Sequence, residues 1–410
     1  MAEAFWDVVV VGAGAAGLVA AIRAAERGRR TLLLEKNRKP GVKILMSGGT
    51  RCNITHATDN RGIVEAFGPP GRFLHSALAA LSVRETVELF EAEGVATKVE
   101  ETGKVFPVSN RAVDVLDALL RRLHRSSAVL ALSEPVRDIR PAEAGFAVTT
   151  PLRVVSAARV VLTSGGQSYP GSGTTGDGYR LAAAFGHAIV PPRPALVPVT
   201  VDALWVADLR GVTLPDVGVR VLEGAEALAG RRGSLLFAHF GLSGPVVLDV
   251  SRVVSGHPRW EGLALELDLL PGLREGELDE WLRSESLASG KKQLAAVLAA
   301  RLPRRLAEVL LSRAGLAADR KAAGLSKPDR RRLVQEVKHL GLPVRGTLGF
   351  QKAEVTAGGV ALDEVDSRTL QSKRRPGLYI AGEVLDLDGP IGGYNFQAAF
   401  STGWLAGGSV

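Results

Sequence analysis

A chain of 410 residues with one cysteine, Cys52, cannot close an internal disulfide, so its core must hold it together, and the lone thiol fits a reducing, cytoplasmic setting. Long apolar runs are missing as well. The most apolar stretch, Val8 to Ile22, is broken by glycines and stops at Arg23, too short to span a bilayer. The N-terminus shows no basic leader followed by a small-residue cleavage site, so no export signal is expected. There is no internal repeat and no low-complexity tract, and G-x-G-x-x-G, which recurs at Gly171, Gly173 and Gly176, does not there directly follow an apolar strand as it does the first time. These absences exclude a disulfide-stapled secreted module and a membrane-spanning protein, and they leave no separate nicotinamide domain in view.

What the chain does have is core-forming material: 46% hydrophobic side chains and 47 glycines, enough for two or three lobes. Its formal net charge is +8. That charge is not evenly spread. Residues 290–345 contain fourteen Lys or Arg against four acids, a surplus of ten, so the rest of the chain nets −2. Basicity confined to one segment fits a phosphate-rich partner there, or else a solvated helix face.

The first forty residues read strand, glycine turn, helix, strand: WDVVVV, GAGAAG, LVAAIRAAERG, RTLLLEK. Continuous apolar strands of this kind are buried on both faces of a parallel sheet, and the crossover helix between them completes a right-handed βαβ unit. In the turn, Gly12 allows the tight bend, Gly14 lets backbone approach a pyrophosphate and Gly17 lets helix pack on strand, with Ala13, Ala15 and Ala16 between them. The free N–H groups of the helix start favour phosphate. Glu35 ends the second strand, eighteen residues after Gly17, where a carboxylate can take both ribose hydroxyls and disfavours a 2′-phosphate.

Residues 37–56 read as a basic, glycine-bearing loop, followed by helical periodicity in 73–94 and 112–127 and by strands in 135–150 and 156–166. From residue 191 the texture changes to proline-punctuated short strands, then from Leu273 to about Leu340 to helices that carry the basic surplus. The C-terminal stretch GLYIAGEVLDLDGPIGGYNFQ returns to strand, acid and a glycine-opened helix. A nicotinamide dehydrogenase has no need for such a return. An acid such as Glu383, after Gly382, can hold ribityl hydroxyls, and a helix start near Gly392 to Asn395 stabilises negative charge on a reduced flavin, so the pattern favours FAD over NAD. The expected organisation is a FAD-binding domain in 1–190 and 350–410, a β-rich insertion in 191–270 and 341–349, and a basic helical insertion in 271–340.

Taken together, VVVVGAGAAG, KILMSGGTRCNIT, GKVFPVSNRA, TSGGQSYPGSGTTGDGY, FAHFGLSGP, EVTAGGV and GLYIAGEVLDLDGPIGGYNFQ resemble, nearly end to end and in order, the BaiN/RdsA family of FAD-dependent oxidoreductases, the aminoacetone-oxidase-like flavoproteins. The resemblance implies an α/β fold: a glutathione-reductase-like Rossmann FAD-binding domain with an inserted β-barrel-like lobe and an inserted helical lobe. It places FAD contacts on Gly12, Ala13, Gly14, Gly17, Glu35, Lys36, Lys43, Ser47, Gly48, Gly165, Gly166, Gly382, Glu383, Gly393, Tyr394, Asn395 and Phe396.

The chemistry that the resemblance implies is reduction of an activated C=C bond, either uridine to dihydrouridine in large-subunit ribosomal RNA or a steroid-like enone, with aminoacetone-type amine oxidation as the older alternative. NAD(P)H is the expected transient reductant, and no metal is expected. Reduction of a conjugated carbonyl needs a hydride at the β-carbon and a proton at the α-carbon. Cys52 is a candidate general acid, its thiol eased by the neighbouring Arg51, or else a small core residue. His239 in FAHFGLSGP is a second candidate donor or else structural. Tyr169 and Tyr394 can donate, stack on a planar substrate or pack, and His56 is a weaker candidate. The basic 290–345 segment favours RNA, whose backbone such a lobe would hold while the base leaves its stack. A steroid reductase has no use for it. A non-enzymatic alternative is a flavoprotein that binds RNA and senses redox state.

Overall fold

The computed structural model describes residues 5–410. The chain divides into two compact units: one holds the chain up to Pro194 and again from Glu354 to Val410, the other is Ala195–Ala353.

The first unit is built on a seven-stranded sheet. Its centre is Trp6–Val11, in which Val8, Val9 and Val10 are fully buried. It pairs in parallel with Thr31–Leu34 on one side, Val8 opposite Thr31, and with Val154–Leu162 on the other, Val8 opposite Arg159. Val129–Ala131 extends one edge, parallel to Thr31–Leu34. Along the other edge, Val154–Leu162 takes two neighbours: the hairpin strand Gly145–Thr149 beside its first half, antiparallel, and Leu378–Ile380 beside its second, parallel. The returning C-terminal stretch thus adds a strand to the sheet that the N-terminus began.

The helix Ala15–Glu26 crosses from the first strand to the second and is buried along most of its length. The C-terminal helix, Tyr394–Ser409, runs along it in the same direction, with Gly403 against Ala16 and Gly407 against Ala20. A Cβ at either glycine would fall 2.3 Å from the carbonyl oxygen it faces. The spacing G-x-x-x-G puts both glycines on one helix face, and without side chains there the two backbones come into direct contact.

Residues 37–56, expected as a loop, instead contain the helix Val42–Thr50, broken at Ser47, Gly48 and Gly49. Val-Lys-Ile-Leu-Met supplies enough helix formers for a first turn, and the glycines that follow end it by taking left-handed φ, +56° and +66°. Among the described residues no helix is long and apolar enough to cross a membrane.

The second unit contains a closed six-stranded antiparallel barrel, in the order Val199–Val201, Gly241–Ser243, Glu226–Ala238, Thr213–Glu223, Leu263–Asp268 and Leu340–Thr347, the last pairing back to the first. Period-two alternation sends Leu340, Leu342 and Val344 inward while Gly341, Pro343 and Arg345 face solvent. Four helices, Glu275–Ala288, Leu294–Leu298, Arg304–Arg313 and Lys327–Lys338, are inserted between the last two barrel strands. Barrel and helices, set out above as separate lobes, share one apolar cluster that runs from Leu265 and Leu267 to Leu278, Leu282, Leu310 and Val337. Amphipathic helices of this length need such a partner face to be stable.

Candidate functional site

The glycine turn of the first unit is shaped by contact. Gly12 has φ +99°, and a Cβ there would lie 2.9 Å from the Ser164 Cα. A Cβ on Gly17 would fall 1.8 Å from the Gly12 carbonyl oxygen, so helix and strand can meet this closely only without one. At Gly14 a Cβ would meet nothing, which leaves open space over the helix start. That start has no side-chain cap and no acid in its first turn, so its N–H groups and positive end face the opening. Ala13, Ala15 and Ala16 form the surrounding backbone. Glu35 is buried, with one carboxylate oxygen accepting from the Ala13 N–H and the other from the Asn37 N–H, both at 2.8 Å. It therefore fastens the glycine turn to the end of the second strand.

A second helix start lies nearby in the same unit. Gly393 caps the C-terminal helix in a left-handed conformation, again with no side-chain cap and no acid in the first turn. The two helices run in one direction and cross where Gly403 meets Ala16, nine residues into the C-terminal helix. At 1.5 Å per residue its start therefore lies about 13 Å beyond the crossing. Two uncapped positive ends, one at the glycine turn and one displaced along the axis, suit an extended ligand with negative charge at both places.

Other predicted contacts collect around this line. Gly165 and Gly166 follow the strand Val154–Leu162, and a Cβ on Gly166 would touch the Thr356 hydroxyl and, at 3.0 Å, a Glu383 carboxylate oxygen. Glu383 follows Gly382 and accepts from the Lys43 ammonium at 2.6 Å and from the Thr356 N–H at 2.9 Å. Lys36 is held by Asp177 at 2.5 Å and by the Thr175 hydroxyl at 2.7 Å. Ser47 and Gly48 stand at the break in the helix Val42–Thr50. At the second helix start the side chains have structural work. Asn395 ties down the Gly389–Pro390 loop through three hydrogen bonds, Phe396 stacks on Phe400, and Tyr394 stacks on His56 with ring centroids 4.6 Å apart. His56 in turn hydrogen-bonds the Gly392 carbonyl through Nδ1 at 3.0 Å. What this end offers a ligand is chiefly backbone.

The segment after the broken helix is strained. Thr50 and Cys52 both take left-handed φ, +69° and +59°, beside the two glycines. Each such non-glycine residue costs on the order of 1–3 kcal/mol and persists only where the surroundings impose it. Cys52 itself is fully buried in the core, and burial pushes its thiol up to about 12 despite a hydrogen bond with Ser47. Arg51 does not ease that thiol as expected from sequence. Its guanidinium instead pairs with Glu100 at 2.6 Å and lies over the Phe106 ring at 3.9 Å. A thiol with no exposure and a raised pKa is poorly placed to hand a proton to a substrate. His239 belongs to the second unit, exposed at the turn between two barrel strands with its ring edge-on to Phe240.

Among the buried polar atoms without a partner are Oδ1 of Asn53, whose backbone packs against Gly48, and Oγ of Ser164, beside Gly12. Buried polar atoms are normally satisfied, so these two mark where a ligand's polar groups would be received. Together with the open space at Gly14 and the two helix starts, they fit a dinucleotide cofactor laid along the first unit. Asn53 and Ser164 were not singled out from sequence, although both stand inside quoted motifs, SGGTRCN and TSGG. Among the described residues no three His, Cys, Asp or Glu side chains come together to hold a metal ion.

The family model for the HI0933-like protein Rossmann domain matches residues 6–409. The ribosomal RNA dihydrouridine synthase of Escherichia coli is 35% identical over 400 residues, covering 97% of this chain and 96% of the relative. The 3-dehydro-bile acid delta(4,6)-reductase of Clostridium scindens is 31% identical, covering 97% of both chains. Among solved structures, a 3-ketosteroid-Δ4-(5α)-dehydrogenase from Rhodococcus jostii superposes with a TM-score of 0.51 at 16% identity, over 99% of this chain and 96% of that one, a likeness of fold alone. The glycine turn, the returning C-terminal helix and the full-length match lead to one conclusion: this chain belongs to the HI0933-like family of FAD-dependent oxidoreductases.

Proposed function

We propose that this protein reduces the C5–C6 double bond of a uridine in large-subunit ribosomal RNA, drawing electrons from NADH or NADPH. The observation that carries this reading is the 35% identity, along nearly the whole of both chains, to a ribosomal RNA dihydrouridine synthase. The exposed lysines and arginines of the second unit add a physical reason, because phosphate neutralisation supplies much of the affinity for RNA.

FAD, when bound, supplies the two-electron chemistry. The chain's own residues do the rest. The N–H groups at the start of the helix Ala15–Glu26 would take the phosphates, with Gly14 leaving room, while Glu35 keeps the turn in shape. Glu383, positioned by Lys43 and Thr356, would offer an acceptor to the hydroxyls of the cofactor's polyol chain. The start of the C-terminal helix, held by Asn395 and by the His56–Tyr394 stack, has a positive end that would stabilise negative charge on a reduced flavin. The buried Cys52 maintains the strained turn, and the proton for the substrate's α-carbon comes from another group or from water.

The test is chemical. Ribosomal RNA from cells lacking the gene, mapped for dihydrouridine, should lose one modified position. Purified protein with FAD and NADH or NADPH should restore it, with a mass gain of two hydrogens. A second reading, reduction of a conjugated steroid-like ketone, is favoured by the 31% identity to a bile acid reductase. Unchanged RNA together with turnover of a steroid dienone would establish that reading in place of the first.

A further inference from the structure

Resting on the RNA reading above, we infer that the second unit meets RNA along one edge of its helical part, where Lys291, Lys292 and Lys321 stand together, continued by Lys327 and Arg331, and that this edge grips the phosphate backbone.

The fourteen cations of residues 290–345 overstate what a partner would meet, because folding neutralises many of them. Arg304 pairs with Glu308, Arg313 with Glu336, Arg320 and Arg332 with Asp329, Arg330 with Asp279, and Lys338 with Asp268. Arg305 donates to the backbone carbonyls of Asp208 and Arg210, and Arg301 lies over the Trp281 ring at 4.7 Å. Lys291, Lys292, Lys321, Lys327, Arg331 and Arg345 remain, all exposed and without a carboxylate partner among the described residues.

Five of those six stand together, three of them gathered by backbone. Residues 290–294 run antiparallel to 320–323 through a bridge between Gln293 and Lys321, with the Leu294 N–H donating to the Arg320 carbonyl at 2.9 Å, the Ala322 N–H to Lys292 at 2.9 Å and the Ala323 N–H to Gly290 at 3.1 Å. That pairing sets Lys291, Lys292 and Lys321 at neighbouring positions whatever their side chains do. The ion pair of Arg320 with Asp329, at 3.0 Å, ties this edge to the first turn of the helix Lys327–Lys338, on which Lys327 and Arg331 stand one turn apart. Asp319, next to Arg320, is an exposed acid beside these five cations.

Lys321 stands opposite Gln293 and diagonally across from Lys291 on the same face, so the two like charges repel weakly and a bound polyanion relieves that repulsion. Phosphates along a nucleic-acid strand supply evenly spaced negative charge of the kind that flexible lysines can follow. The paired arginines behind the edge help to hold the helices in place, and the carboxylates beside them offset part of their charge towards RNA.

The experiment uses the full-length, FAD-loaded protein and a fluorescently labelled synthetic RNA stem-loop with unpaired uridines, titrated at several salt concentrations. The Lys291→Ala/Lys292→Ala/Lys321→Ala variant should lose tenfold or more in affinity, and its salt slope should fall by about 2 to 3, while FAD content and melting temperature stay unchanged. A charge-matched control, Arg210→Ala/Arg231→Ala/Arg259→Ala, should bind within about twofold of the parent. If the triple-lysine variant melts early, the single reversal Lys321→Glu reads the same effect. Equal losses in the lysine variant and the control would overturn the edge while leaving RNA as the substrate. A parent protein that does not bind the stem-loop at all would remove both the edge and the RNA reading.

Discussion

Gly403 is the residue on which the approach of the C-terminal helix to the first helix depends most directly. In Gly403→Ala the new Cβ would stand 2.3 Å from the Ala16 carbonyl oxygen and 2.9 Å from the Ala16 C and Cα atoms. Ordinary contact begins near 3.4 Å, so the helices must part by about 1 Å. Both clashing partners are backbone of buried helices and cannot turn aside. Alanine gains about 1 kcal/mol of intrinsic helix propensity over glycine, while overpacking a tight contact costs about 1–3 kcal/mol, so the net effect is a loss of up to about 2 kcal/mol. Gly408, on the same helix, supplies the internal control: nothing lies nearer to its would-be Cβ than the Arg23 Nε, at 4.0 Å. Gly408→Ala should stabilise by up to about 1 kcal/mol. The assay is the temperature at which FAD fluorescence appears on heating, because release reports the first unit whatever the second unit does. Gly403→Ala should release FAD at a lower temperature than the parent, and Gly408→Ala at the same or a higher one. If Gly403→Ala is as stable as Gly408→Ala, the direct backbone contact between these helices is wrong.

Three further outcomes are expected. Glu35→Ala leaves the Ala13 and Asn37 N–H groups without their acceptor, and each unsatisfied buried donor costs about 1–3 kcal/mol, so the variant should melt earlier and retain less FAD after gel filtration. Because the Cys52 thiol is raised to about 12, it stays protonated in the folded state while an unfolded thiol ionises near 9; its contribution to stability is present below pH 9 and is lost as pH rises towards 12. The stability difference between parent and Cys52→Ala should therefore shrink above pH 9, and native protein at pH 8 should resist thiol alkylation until it is unfolded. Burial depresses the His187 imidazole even though Glu364 pulls the other way, so the stability it contributes is present above its ordinary value of 6.5 and is lost as pH falls below it. Acid unfolding of His187→Gln should be shallower between pH 6.5 and 5 than that of the parent, as followed by circular dichroism.

How much of this could be read from the chain depends on how far apart the interacting residues stand. The glycine turn, the paired strands around it and the acid at Glu35 lie within thirty residues and carry their own signals, as do the alternating barrel strands. The helix start at Gly393 is legible for the same reason: glycines open it and apolar residues follow at once. The role of Cys52 was not legible. Its neighbours Arg51 and Asn53 suggest a polar, reactive setting, yet Arg51 turns away to Glu100 and Phe106, and what surrounds the thiol arrives from elsewhere in the chain. The partnerless Asn53 and Ser164 are likewise visible only once Gly48 and Gly12 are packed beside them.

The amino-acid order alone determined that the chain opens on a βαβ unit with the glycine pattern of a nucleotide site, that the C-terminus returns to strand and helix, and that positive charge gathers in residues 290–345, because each is a pattern among near neighbours. Only the tertiary structure decided which thiol is buried, which helix touches which, and which cations are left for a partner. Burial and ion pairing are properties of residues brought together from far along the chain: Arg330 is paired with Asp279, fifty-one positions away, and Gly403 must lack a side chain because the Ala16 backbone stands against it.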